Sequence, residues 1–154
     1  MQVTSHTFPG GAELCAYLHE ADESMPASLR CEQPAVIIFP GGGYAFTSPR
    51  EADPVALAFL SMGYQTFILR YRTGESAGAK QPLEDAARSI AFVREHSAEW
   101  HIDPEKIAVL GFSAGGHLAA SLGVHWNDAE IAARLGLSPQ QARAALRKSG
   151  AKRS

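Results

Sequence analysis

The segment Gly111-Phe112-Ser113-Ala114-Gly115 places a serine between glycines at the spacing G-x-S-x-G. The apolar run before it, Ile107 to Leu110, reads as a buried strand. The small, apolar stretch after it, Ala114 to Leu122, reads as a packed helix. A serine at so tight a strand-to-helix turn is held in strained backbone geometry, with its hydroxyl pushed out above the sheet edge. Residues two positions either side must be small, because the two backbones nearly collide there. The helix start behind the serine offers unpaired N–H groups and a positive dipole end, which favour an oxyanion. The same five residues could also be a serine capping an ordinary helix, since serine is a preferred cap. A strand before, a helix after and Gly115-Gly116 inside the turn favour the nucleophile.

A second stretch bears on the same chemistry. Ala35-Val36-Ile37-Ile38-Phe39 is a continuous apolar run, the pattern of a strand buried on both faces. It runs into Pro40-Gly41-Gly42-Gly43-Tyr44. A triple glycine after a buried strand lets the backbone come close to another group and turn its N–H donors toward it. A flexible turn is the plain alternative. A phosphate cradle is another, but the Lys-Ser/Thr of a P-loop is absent and no G-x-G-x-x-G follows. Beside a serine elbow, an oxyanion loop is the favoured reading.

The remaining elements must position these two turns. Val3 to Phe8 and Glu13 to His19 are of strand type and are joined by Pro9-Gly10-Gly11, which predicts a hairpin with His6 and His19 on its surface. Ala21 to Gln33 reads as a loop. Ser48-Pro49-Arg50-Glu51 predicts a helix start, with the helix ending near Met62-Gly63. Tyr64 to Leu69 predicts a strand, and Thr73 to Gln81 a loop. A second helix begins at Pro82, with Leu83, Ala86, Ala87, Ile90, Ala91 and Val93 at helical spacing. His96 and His101 near its end read as partners of the helix terminus or of solvent. Ile102 to Glu105 turns the chain into the elbow strand. Strands alternating with helices predict a parallel sheet covered on both faces.

With 154 residues, 45% hydrophobic and 19% charged, the chain has the length of one domain and enough apolar content for a core. A net charge of −2 argues against nucleic acid or a membrane surface as partner. No apolar run approaches the roughly 20 residues of a membrane span, and no secretory signal is visible at the N-terminus. Cys15 and Cys31 form no C-x-x-C and read as reduced thiols in a cytoplasmic protein.

On the two glycine motifs, with Ser48-Pro49-Arg50 and Leu69-Arg70-Tyr71-Arg72 between them, the chain resembles the N-terminal half of an α/β-hydrolase-fold carboxylesterase. The similar branch is the acetyl-xylan-esterase-like and hormone-sensitive-lipase-like one. Pro40 stands where the lipase-like members have His, so the chain leans to the xylan-esterase-like side. The resemblance covers about Val3 to Leu137. It implies a partial α/β-hydrolase fold, a mostly parallel sheet of about five strands with helices on both faces. It implies a serine esterase of small acyl esters, acetylated sugars among them, with no cofactor and no metal. Ser113 would attack the ester carbonyl. The backbone N–H groups of Gly42, Gly43 and Ala114 would hold the oxyanion. Tyr44 would wall the substrate pocket, or simply pack.

The sequence also departs from that family. In this fold the acid and the histidine follow the serine, in that order. Only 41 residues follow Ser113, and the histidines among them are His117 and His125. His117 is one helical turn on, and His125 lies about 18 Å away if the helix continues. Neither is placed to act as the base. Asp128 and Glu130 come after His125, the wrong order. Ile131 to Gly136 and Ser138 to Lys148 predict two short helices, the second opened by Ser138-Pro139 as cap and first residue. No sixth strand follows, and from Ser138 onward there are 5 basic residues and no acidic one. Residues 1–154 are thus expected to form one truncated α/β-hydrolase domain whose residues 138–154 make an atypical basic helical tail. A nucleic-acid-binding tail is the weaker account of that charge. The edge of the Ile107–Leu110 strand, left unpaired, is expected to drive self-association. A non-catalytic binding or assembly module and a peptidase on the same fold stand as alternatives to the esterase. The loss of pattern after about Ala142 fits a truncated or shifted reading frame. Resequencing the source locus checks this, and a downstream frame encoding an Asp and a His in hydrolase context is the expected result.

Overall fold

A computed structural model describes residues 1–78 and 80–147, apart from the side chain of Leu29. Five strands, β1 (Gln2–Thr7), β2 (Glu13–Leu18), β3 (Gln33–Phe39), β4 (Gln65–Arg70) and β5 (Ile102–Gly111), form one sheet in the order β1-β2-β4-β3-β5. The first two make the expected antiparallel hairpin, with Gln2 opposite Leu18 and Thr7 opposite Glu13. β2 runs antiparallel to β4, while β3, β4 and β5 are parallel.

Side chains of the central strands alternate between two apolar layers. Ala35, Ile37 and Phe39 of β3, with Phe67 and Leu69 of β4, enter the larger core beneath α2 (Gln81–Glu95) and α3 (Ala114–His125). Ile38 and Ile68 point the other way, onto Ala52 and onto Ala56 of α1 (Asp53–Ser61). The sheet is therefore covered on both faces, as the alternation of strands and helices predicts.

Three expectations are corrected. The helix start predicted at Ser48-Pro49 is a separate 3-10 turn, Pro49–Glu51, and α1 begins only at Asp53. Ala52 breaks the helical path at φ −111°, ψ −100°, because the turn is engaged by the loop after β3. Ile102 to Glu105, expected as a turn, is drawn into β5 with an irregular register, Gln33 pairing with Ile102 but Ala35 with Ile107. The elbow strand is not buried as its apolar run predicts. Ala108 is exposed, and Ile107, Val109 and Leu110 are half-buried. Among the described residues β5 is the last strand of the sheet, paired with β3 alone, so one of its two edges is left uncovered by them.

Two short helices follow α3: α4 (Ala129–Arg134) and α5 (Pro139–Leu146). Ser138 caps α5 by accepting from the Gln141 N–H at 3.1 Å, and the Gln141 side chain accepts from the Ser138 N–H at 2.9 Å. Pro139 opens the helix, as the sequence predicts. Ala142 and Leu146 of α5 are buried in the larger core, and Arg94 of α2 donates to the Ala145 carbonyl. Residues 148–154 of the expected basic tail lie outside the described residues. Among the described residues no helix is long and apolar enough to cross a membrane.

The ends of β3 and β4 are tied directly. Tyr71, just past β4, is buried and donates its hydroxyl to the Pro40 carbonyl. Burial, and then the charges of Tyr44 and Glu51, push its phenol up to about 12, from an ordinary value of about 10. The folded state thus favours the protonated phenol. Its contribution to stability is intact below about pH 10 and is lost as pH rises toward 12. Urea unfolding across that range should show a falling midpoint, and the Tyr71→Phe variant should lose part of that fall.

Candidate active site

Both glycine-rich turns lie at the carboxyl ends of parallel strands, where open α/β sheets bind ligands. The Gly111–Gly115 turn joins β5 to α3. Ser113 occupies it at φ 52°, ψ −116°, a conformation that costs a non-glycine residue about 1–3 kcal/mol. Gly115 explains how the strain is held. A Cβ there would lie 1.9 Å from the Phe39 carbonyl oxygen, so α3 begins in backbone contact with the end of β3.

Ser113 stands at the N-cap position of α3, yet its side chain makes no capping bond. It is exposed, and among the described residues its hydroxyl has no hydrogen-bond partner. An ordinary capping serine would accept from the second or third N–H of the helix. The positive φ points this hydroxyl elsewhere, and the plain capping account fails.

The loop after β3 is held against the elbow. A Cβ on Gly41 would lie 2.6 Å from the Phe112 carbonyl oxygen and 3.2 Å from the Ser113 Cβ. Both backbone groups of Gly41 are engaged. Its N–H donates to Glu51 Oε2 at 2.6 Å, and its carbonyl accepts from the Ser48 N–H at 2.8 Å. Gly42 (φ 140°), Gly43 (φ 62°) and Tyr44 (φ 62°) follow in left-handed conformations, and Gly74 N–H ties down the Tyr44 carbonyl at 2.6 Å. Among the described residues the N–H groups of Gly42, Gly43 and Ala114 have no protein acceptor.

Tyr44 both packs and lines a cleft. Its ring meets Tyr71 edge-on at 5.9 Å, and its hydroxyl shares a 2.7 Å hydrogen bond with Nδ1 of His117. Burial raises its phenol. The cleft beside it, about 370 Å³, has Leu83 and Leu118 among its apolar walls and Lys80, His117, His125 and Asp128 among its polar ones. His19 and His101 line two further clefts at the opposite end of the strands, one with Arg30 and Gln65 and one with Glu23 and Glu99.

No described histidine or carboxylate bonds to Ser113. His117 Nδ1 is engaged by Tyr44, and His96 Nδ1 meets the Phe92 carbonyl at the end of α2. His6 is less exposed than expected, its ring packing at a tilt against Phe92 and Trp100. Asp128 caps α4 by accepting from the Glu130 N–H at 2.8 Å. That bond, and then Lys80, hold its carboxyl below the usual range. Lys80 also pairs with Glu130 at 2.7 Å and lowers it likewise.

Sequence reasoning missed Glu51, Tyr71 and the Arg72–Asp85 pair. Asp85 is fully buried and accepts from Arg72 N–H at 2.9 Å and from its guanidinium at 3.0 Å. Burial pushes the Asp85 carboxyl up against the opposing pull of Arg72. Arg72 also loses hydration, but its bonds to Asp85 and Glu84 keep it above its ordinary range. Acids in the first turn of α2 opposite Arg-Tyr-Arg were the available signal.

The chain matches the BD-FAE family over residues 22–147. It is 36% identical over 118 residues to endo-1,4-beta-xylanase B of Butyrivibrio fibrisolvens, covering 75% of this chain and 17% of that protein. The structure superposes on the α/β-hydrolase enzyme MGS-M1, from a Medee basin deep-sea metagenome library, with a TM-score of 0.72. That match is 42% identical and covers 79% of this chain and 50% of the other. It also superposes on the acetyl ester-xyloside bifunctional hydrolase of Caldicellulosiruptor lactoaceticus with a TM-score of 0.68, at 38% identity, covering 80% and 44%. The chain thus spans about half the length of the solved structures it matches, and less of the curated relatives. Its fold is that of the N-terminal half of an α/β hydrolase, and the chain belongs to the BD-FAE family, whose relatives here are carboxylesterases and acetylxylan-esterase-like enzymes.

Proposed function

We propose that Ser113 is the nucleophile of a serine carboxylesterase acting on small acyl esters, acetylated sugars among them. The observation that carries this is the strained, uncapped Ser113 set against the Gly41–Tyr44 loop. The Ser113 hydroxyl attacks the ester carbonyl, and its proton passes to solvent. Charge gathers on the carbonyl oxygen, which accepts from the N–H groups of Gly42, Gly43 and Ala114. One such donor is worth about 3–4 kcal/mol of barrier in a comparable site. The intermediate collapses, and the alcohol leaves after taking a proton. Water then releases the acid and restores the serine. Tyr44 and the cleft beyond it take the substrate.

No described side chain supplies the general base, so the serine acts near its weak intrinsic nucleophilicity. An oxyanion hole and binding alone leave about 10³–10⁴-fold over water in serine hydrolases. The absence of a described Ser–His bond favours one second reading, a non-catalytic binding or assembly module. Hydrolysis of p-nitrophenyl acetate by the chain and by Ser113→Ala separates the two. Slow turnover that disappears in the variant is expected, and equal inertness of both proteins would leave only the module.

We read residues 1–154 as one domain and propose that it self-associates through the edge of Ile107–Leu110. The support is the position of β5 at the end of the sheet with Ala108 exposed. Unpaired strand edges are templates for pairing. Light scattering at micromolar concentration should show dimers or larger species, and a monodisperse monomer would count against it.

A further inference from the structure

Gly41 is the only glycine of the Gly41–Gly43 run with an engaged N–H among the described residues. Its partner is not a neighbouring backbone carbonyl but a carboxylate ten residues on. Glu51 Oε2 accepts at 2.6 Å, and the same oxygen lies 2.7 Å from where a Cβ on Gly41 would stand. From the other side the Ser48 N–H donates to the Gly41 carbonyl at 2.8 Å. The segment 48–51 therefore holds one residue by both of its backbone polar groups, Glu51 on the Pro40–Gly41 peptide and Ser48 on the Gly41–Gly42 peptide.

That segment is itself anchored. The Glu51 N–H donates to the Ser48 carbonyl at 3.2 Å, and the Ala52 N–H to the Pro49 carbonyl at 3.3 Å. Ala52 is buried with Ala56, Ile38 and Ile68 on the α1 face of the sheet. A continuous path thus runs from the smaller core through Ala52 and Glu51 to Gly41, and from Gly41 to the two glycines with open donors.

We infer that Glu51 is a positioning residue for the esterase reaction: its carboxylate holds the Gly41 N–H away from the site and fixes the Pro40–Gly41 peptide, the plane from which the chain enters the Gly42 and Gly43 donors. This rests on the esterase reading above. Glu51 touches no reacting atom. It acts by removing the freedom of a glycine-rich loop that would otherwise sample many orientations at this position. A loop of three glycines has little intrinsic preference, and misplacement of about 1 Å at a reacting centre costs about 100-fold in rate.

The test compares the full chain with Glu51→Ala, Glu51→Gln and Ser113→Ala. Amide hydrogen exchange and the ¹H–¹⁵N spectrum report on Gly41, Gly42 and Gly43 without any need for turnover. In the wild type the Gly41 amide should be the most protected of the three. Glu51→Ala should speed its exchange by about tenfold or more, as loss of a charge-assisted bond requires, and should broaden or shift Gly42 and Gly43. Ser113-dependent hydrolysis of p-nitrophenyl acetate should lose kcat by about 10- to 100-fold in Glu51→Ala with KM little changed. Glu51→Gln retains an acceptor oxygen and should recover part of both effects. Unchanged Gly41 exchange in Glu51→Ala would overturn the inference, as would normal Ser113-dependent kcat in that variant. Turnover indifferent to Ser113→Ala, or none at all, would overturn the esterase reading instead, while the amide data would still decide whether Glu51 holds Gly41.

Discussion

The backbone contact between Gly115 and the Phe39 carbonyl is the constraint on which the site depends. It brings the first turn of α3 against the end of β3 with no side chain between them. That contact fixes where the elbow turns, and hence that Ser113 must adopt φ 52° to make the turn at all. It also brings the loop leaving β3 beside the serine, because the loop starts one residue after Phe39. Two sequence-distant motifs share a wall because one glycine has no Cβ.

Around that contact the fold supplies rigidity in layers. Central β3 and β4 are buried on both faces and carry the ends to which the loops attach. Tyr71 ties the end of β4 to Pro40, and Gly74 ties the chain after it to Tyr44. On the far side, α2 is fixed through Asp85 to Arg72, the residue beside Tyr71. The two glycine-rich turns reach the surface at Gly43 and Ser113, but each is fastened to something buried. Strain at Ser113 can persist under those conditions, since its surroundings over-determine it.

The parts legible in the sequence were those set by local rules. The run Ala35–Phe39 declared a buried strand because central parallel strands need apolar residues on both faces, and Tyr64–Leu69 declared a strand. Ser138-Pro139 declared a helix start because capping is settled within four residues. Gly111 to Gly115 declared a tight strand-to-helix turn because steric crowding there admits only small side chains. What escaped depends on distant neighbours. Ile107–Leu110 has the composition of a buried strand, yet its exposure is decided by what stands on its far edge, and β5 has β3 alone beside it. Glu51 looked like an acid in a helix's first turn, and its real partner, a backbone N–H, leaves no mark in sequence. Tyr44 admitted two readings, and its ring and hydroxyl divide between them: the ring packs on Tyr71 while the hydroxyl reaches His117.

The Gly10 turn of the N-terminal hairpin carries one more consequence. A Cβ on Gly10 would fall 2.5 Å from Nη1 of Arg72, so the turn lies flat on the guanidinium that neutralises buried Asp85. The hairpin holds no candidate for chemistry, yet it keeps water from one face of the ion pair beside the site. Lower local dielectric strengthens a satisfied pair and penalises an unsatisfied one. The surroundings of the Arg72–Asp85 pair are thus shaped from one side by a turn about sixty residues earlier in the chain than Arg72.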